Sequence, residues 1–368
     1  MSKDDPNPDT HDGLDKVIIV PNYLFGNKPL DPFLDKIDTS LTLGANRVEM
    51  PLKLHSPLVF SSNLIGSDIE FIKGLVYGAS LVGTPFSIAG EDLTKELRGF
   101  VDEVGAKYIF QWSSDRSNVD AEVLGSASGI EIMIGGGIGS DITTMRKTGR
   151  LHPSMHLDIE SPKDLKKHID LLKEITANMV PVIVTIGPGN IYGDMKYCIK
   201  AGADAVNIGL GPILDSAISQ DFKDNIGVRT IGMFKPAQKA MKETNAKEDN
   251  VALLVSGGFS STSDIFKVLA MGADGISLSG SVLESFLSGA AAPATGGENS
   301  MEWKSVGEDI AKAIKKKEHD LFNLFAMTSA PGTKDLTTDC LRATTYDAAS
   351  ITGLKLMGYE KTLPMWMH

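Results

Sequence analysis

The chain is poor in cysteine and in positive charge, and each shortage closes off a class of function. Its 368 residues include two cysteines, Cys198 and Cys340. They lie too far apart for a disulfide framework, and their spacing suits no metal site and no iron–sulfur cluster. Lysine and arginine number 36 against 47 aspartates and glutamates, for a formal net charge of -11 and a pI near 5.2. No basic stripe interrupts that balance, so a nucleic-acid partner is not expected. The one basic run, Lys315-Lys316-Lys317, stands among Glu308, Asp309, Glu318 and Asp320 and reads as the solvated face of a helix. No apolar run approaches the ~20 residues of a membrane span, and Met1 to Gly13 is too polar for a secretory signal. A cytoplasmic location is expected.

What is present is a repeated pattern. Apolar, strand-like runs that end in small residues recur at 58–66 (LVFSSNLIG), 83–92 (GTPFSIAGED), 106–112 (AKYIFQW), 129–137 (GIEIMIGGG), 180–189 (VPVIVTIGPG), 203–211 (ADAVNIGLG), 251–258 (VALLVSGG) and 274–280 (DGISLSG). Helix-period segments lie between them, among them Asp68 to Ser80, Leu93 to Val104, Pro162 to Asn178, Asn190 to Ala201, Pro236 to Thr244 and Ser263 to Met271. Near-continuous apolar strands suit a parallel sheet buried on both faces. Eight strand–helix units predict an α/β fold, a (β/α)8 TIM barrel with N- and C-terminal extensions, and the length accommodates it. The expected division is a 1–55 extension with a disordered start, a 56–288 barrel, a 289–300 linker and a 301–368 helical extension packed on the barrel.

The stretch Val251 to Leu283 carries the clearest functional signal. One strand runs into Ser256-Gly257-Gly258 and the next into Ser279-Gly280-Ser281. Such loops expose backbone N–H groups with no side chain in the way, and N–H groups so arranged can cradle a phosphate. In an eight-fold barrel the last two strands are the usual place for one. A Gly-Ala-Asp turn precedes two strands, at 202–204 and 272–274, which shows repeated helix-to-strand geometry.

These stretches also carry a resemblance. From Ile37 to Tyr359 the chain resembles the FMN-binding barrel of glutamate synthase in its short, stand-alone form. The segments concerned are IDTSLTLGANRVEMPLKLHSPLVFSS, GASLVGTPFSIAGED, the Gln111, Ser114, Arg116 pattern, HPSMHLDIESPKDL, the 251–283 stretch and CLRATTYDAASITGLKLMGYE. The resemblance implies FMN, with its phosphate at Ser256, Gly257, Gly258, Ser279, Gly280 and Ser281. Its ring would lie over Ser61, Ser62 and Asn63, with Gln111 in contact. It further implies Glu91 and Arg116 as catalytic residues, a small-molecule substrate, ferredoxin or a reductase as electron donor, a glutaminase-type partner, and association of the chain with itself.

The departures from the family pattern fall on its cations. The lysine of the fourth strand falls on Met133, a glutamine on Gly136, a second lysine on Gly139, and the fifth strand's lysine on Thr185. The loop after the sixth strand is reduced to Gly209–Asp215, and the cysteine cluster many relatives carry is replaced by a Gly/Ala-rich segment at 289–299. A reduced flavin and a dicarboxylate substrate both call for cations; Arg116 and Lys53 are the candidates to replace them. Three readings stay open: an altered FMN oxidoreductase, a flavin-poor barrel kept as a subunit or regulator, and a phosphate-ligand barrel enzyme of another class. His152 and His156 read as loop-ordering rather than metal ligands, since Pro153 separates them. Glu91 with Asp92 also reads as the charged start of a helix from Leu93, and Arg116 as a surface ion pair with Asp115. Trp112 and Trp303 read as packing residues, and Cys198 as a buried helix residue.

Overall fold

The computed structural model describes residues 13–21, 30–31, 34–61, 69–90, 92–112, 120–134, 156, 158–209, 227–287 and 302–363. Three short strands come first: β1 (Val17–Ile19), β2 (Leu41–Leu43) and β3 (Leu52–Leu54). The barrel strands follow with their helices. They are β4 (Leu58–Phe60), α1 (Ile69–Val82), β5 (Phe86–Ala89), α2 (Lys95–Val104), β6 (Tyr108–Trp112), α3 (Ala121–Ser126), β7 (Gly129–Met133), α4 (Pro162–Ile175), β8 (Val182–Ile186), α5 (Ile191–Ala201), β9 (Ala205–Gly209), α6 (Thr230–Glu243), β10 (Ala252–Gly257), α7 (Thr262–Ala270) and β11 (Gly275–Leu278). The chain then forms α8 (Gly280–Glu284), α9 (Trp303–Met327), β12 (Leu341–Ala343) and α10 (Tyr346–Thr352). Strands β4 to β11 pair in parallel and close, β11 against β4, into the expected barrel. No described helix is long and apolar enough to cross a membrane.

All eight expected runs supply a barrel strand, each shorter than its apolar run. One helix differs from its expected limits. Pro236 reads as a helix start, yet α6 begins six residues earlier and carries Pro236 inside. The buried face of Thr230, Ile231, Met233, Phe234, Ala237, Ala240 and Met241 holds the helix despite the donor proline removes. Helix α2 begins at Lys95, two residues later than the expected Leu93, with Thr94 as its cap accepting from Leu97 N at 3.2 Å.

The Gly-Ala-Asp turns do more than redirect the chain. Gly202 and Gly272 sit at φ 101 and 110, where a side chain is strained. The aspartate that follows then pairs reciprocally with a strand next to its own. Asp204 N donates to Val182 O at 2.8 Å while its Oδ2 accepts from Val182 N at 2.9 Å. Asp274 repeats this with Leu253, at 2.7 and 2.8 Å. These pairs tie strands together at the barrel's N-terminal end. Fully buried Asp204 also binds Arg47 Nε at 2.7 Å and Lys173 Nζ at 2.9 Å.

Arg47 comes from the turn of an antiparallel hairpin, β2–β3, that the sequence did not announce. Its Leu43, Leu52 and Leu54 form one apolar cluster with Val59, Ile109, Ile183, Ala205, Ala252 and Leu254. This inner cluster is separate from the large core between strands and helices. The hairpin is a plug closing the N-terminal end of the barrel. Lys53 lies exposed on it, at the end away from the strand tips, so it cannot replace a cation at the C-terminal mouth. At the periphery β1 pairs antiparallel with β12, joining the two ends of the described chain.

Helix α9 packs along α1 through glycines. A Cβ on Gly307 would lie 2.8 Å from Gly74 O and 3.0 Å from Gly78 N, both backbone atoms that cannot move aside cheaply. Gly99 in α2 meets nothing within 4 Å. Helix propensity alone favours alanine by about 1 kcal/mol at either site, so contact decides the sign. Gly307→Ala is expected to destabilise the chain by about 1–3 kcal/mol, and Gly99→Ala to stabilise it by about 0.5–1 kcal/mol. Urea denaturation of the two variants checks both signs.

Candidate functional site at the carboxyl ends of the barrel strands

Side chains alternate across a strand with period two, and the alternation sorts the barrel interior into two levels. Low on the strands the inward residues are the apolar set that meets the plug. Two residues further along, the inward positions become polar: Ser61 after Val59, Gln111 after Ile109, Thr185 after Ile183, Asn207 after Ala205 and Ser256 after Leu254. Ser61, Gln111, Glu131, Thr185 and Asn207 are all buried, as are Ser87 and Ser277. The polar level forms a floor at the C-terminal mouth.

Glu131 is the hub of this floor. Gln111 Nε2 donates to its Oε2 at 3.1 Å, and Asn207 Nδ2 donates to its Oε1 at 3.3 Å. Thr185 Oγ1 donates to Oε1 through a short hydrogen bond and accepts from Asn207 Nδ2 at 3.1 Å. These contacts turn the Asn207 amide so that Nδ2 faces the carboxylate. Its Oδ1 is left buried with no hydrogen-bond partner. Met133 and Thr185, the positions of two family lysines, are register partners on neighbouring strands, so thioether and hydroxyl stand together where two cations are implied. The sequence reading passed over Glu131, although an acid between Ile130 and Ile132 in a buried strand was its available signal.

Of the residues expected at the site, Ser61 and Gln111 lie in this floor. Ser256, half-buried, and Gly257 end β10, Gly258 follows, and Ser279 and Gly280 stand at the tip of the adjacent β11. Ser279 N donates to Gly257 O at 3.4 Å, which holds the two loops together. The backbone N–H groups of Gly258, Phe259 and Gly280 have no acceptor among the described residues. Only the backbone of Ser281 is described, within α8. Ser62, Asn63, Glu91, Arg116, Gly136, Gly139 and His152 lie outside the described residues.

The lysine run corrects the sequence reading in part. Lys315 and Lys316 are exposed, but Lys317 is half-buried, donates to Ser260 O and lies 4.8 Å over the Phe286 ring. Desolvation lowers its pKa from the ordinary lysine value. A helix face rich in charge did not reveal that one stem turns inward to brace the β10 loop. Next to Gln111 in sequence, Trp112 packs at a tilt against both His156 and His168, with ring centroids 4.8 Å apart in each pair. Asp158 N donates to His156 Nδ1 at 3.2 Å, and His168 Nε2 donates to Asp158 O at 3.2 Å. This cluster fixes the chain entering α4. Trp303 packs edge-on against Tyr77 and Phe100.

Against known proteins, residues 33–286 match the model of the conserved region in glutamate synthase. The chain belongs to the glutamate synthase family. It is 29% identical over 295 residues to a glutamate synthase large subunit-like protein of Rhizobium meliloti (strain 1021), covering 75% of this chain and 63% of that one. It is 30% identical over 244 residues to an archaeal glutamate synthase [NADPH] of Archaeoglobus fulgidus, covering 61% of this chain and 47% of that one. The chain thus spans from about half to under two thirds of these relatives' length. Among solved structures it is similar to a flavocytochrome b2 mutant with pyruvate bound, with a TM-score of 0.63, 15% identity, and 92% of this chain and 79% of that one covered. That likeness is one of fold.

Both cysteines are free thiols and buried. Burial pushes the Cys198 thiol up to about 12 and that of Cys340 up to about 11, and the thiol form is unreactive. Native protein at pH 8 is expected to resist iodoacetamide at both positions and to take up label at both on unfolding. Rapid alkylation of the native chain, read by mass spectrometry, would contradict the packing around them.

Proposed function

We propose that the chain is an FMN-dependent oxidoreductase of the glutamate synthase type whose substrate site has been rebuilt without the family's lysines. The observation that carries this reading is the set of N–H groups of Gly258, Phe259 and Gly280, at two adjacent strand tips, that have no acceptor among the described residues. Those groups suit a phosphoryl end, because charge-assisted hydrogen bonds from backbone N–H are strong and need no side chain. Ser61 and Gln111 offer a hydroxyl and an amide to the edge of a heterocyclic ring. FMN, when bound, would supply one- or two-electron redox chemistry.

The chain's own residues set the rest. Gln111 links ring contact to the Glu131 hub. Lys317 braces the β10 loop through Ser260 O. By family resemblance Ser62, Asn63 and Ser281 join the cofactor site, and Glu91 and Arg116 act on the substrate. Electrons would come from ferredoxin or a reductase partner, and a glutaminase-type partner would supply nitrogen if the family's amino-donor chemistry is kept. Ordinary 2-oxoglutarate chemistry fits poorly. Leaving a desolvated carboxylate without a cation costs on the order of 3 kcal/mol or more, and Met133 and Thr185 give it none. The same loss supports a second reading, a flavin-poor barrel serving as a subunit or regulator.

Titration of the apoprotein with FMN and with riboflavin separates the two. If the paired loops hold phosphate, FMN is expected to bind at least about 100-fold more tightly than riboflavin, two or more charge-assisted hydrogen bonds' worth. The purified protein should carry a flavin absorption band that bleaches on reduction. A colourless protein that takes up no FMN contradicts the redox reading. Equal affinity for the two flavins contradicts the phosphate assignment.

A further inference from the structure

We infer that the barrel floor around Glu131 and Asn207 is a binding site for a protonated amine, presented by the substrate where the family's substrate presents carboxylate. This rests on the reading above only in taking the C-terminal mouth as the ligand side of the barrel.

Three observations carry it. First, Glu131 is 4% exposed, and its three hydrogen-bond partners, Gln111, Thr185 and Asn207, are all neutral. No described cation lies within ion-pair distance of it. The half-buried cations Arg47, in the plug's turn, and Lys173, on α4, are committed to Asp204 at the opposite end of the barrel. Among the described residues this buried carboxylate is held only by neutral donors and has no countercharge, which a cationic ligand would supply.

Second, Asn207 is 4% exposed and its Oδ1 has no partner. The carboxylate beside it fixes the amide orientation, so the orphan is the acceptor atom and not the donor. It calls for a donor. Third, the acceptor count suits ammonium. Glu131 Oε2 receives one hydrogen bond, leaving a lone pair, and Asn207 Oδ1 adds another acceptor. An ammonium group brings three donors in a small volume. A divalent metal would want about six oxygen ligands, more than this floor offers. A single water would satisfy Asn207 and leave the Glu131 charge uncompensated. The substitutions at Met133 and Thr185 then make sense together: two lysines here would neutralise Glu131 and repel the amine.

The test is calorimetric titration of the full chain, after its FMN content has been read from absorbance, with three near-isosteric probes: n-propylammonium, 1-propanol and propionate. A further titration uses 2-oxoglutarate. Propylammonium is expected to bind at least about 30-fold more tightly than propanol, and propionate not measurably, since one buried charge pair is worth at least that factor. Glu131→Gln keeps the shape of the floor and is expected to abolish the preference; Asn207→Leu should weaken propylammonium binding alone. The inference is overturned if the three probes bind alike, if propionate or 2-oxoglutarate binds best, or if propylammonium does not bind at all. The wild-type series decides this even should a variant fail to fold. Amine binding without flavin would leave the inference standing and remove the redox reading; flavin without amine binding would do the reverse.

Discussion

The structure depends on one geometric constraint, the two-residue alternation of eight parallel strands closed on themselves. Every inward position must be filled, and this chain fills them differently at two heights. Below, aliphatic side chains meet the leucines of the β2–β3 plug. One step above, the same strands turn polar, and Glu131 gathers three of those groups. With the N-terminal end closed by the plug, the polar level lies on the side of the strand tips. The Arg47–Asp204–Lys173 cluster anchors the plug to the barrel wall at the N-terminal end.

The barrel itself was legible because its strands are near-continuous apolar runs ending in glycine and serine, and the count of eight leaves few alternatives. The same runs place the ends of β10 and β11 side by side, with small residues at both tips. Other features were hidden by physics that a linear reading does not capture. The plug is two three-residue strands, too short to show a period. Pro236 looked like a helix start because its buried neighbours, which override it, are spread over the turns on both sides. Lys317 looked solvated because a long stem can lie along an apolar surface whatever its neighbours' charge.

Glu131 teaches most about the limits of family resemblance. Alignment by motif draws attention to the lysines that are missing, at Met133 and Thr185, and not to the acid those positions flank. Only the register, which sets Met133 beside Thr185 and Gln111 beside Glu131, shows that the losses and the acid belong to one surface. Among the described residues they leave a floor that keeps the acid and lacks two cations the family pattern implies, on an otherwise retained scaffold.

The central claim is that ligands enter at the strand tips and meet the β10 and β11 loops. Amide hydrogen exchange with and without FMN tests it most directly. The account predicts slowed exchange at Gly258, Phe259 and Gly280 on adding FMN, with no change at Val182 and Leu253, whose N–H groups are already held by Asp204 and Asp274 at the far end. Protection confined to the plug end, or no protection at the loops while FMN is bound, would contradict it.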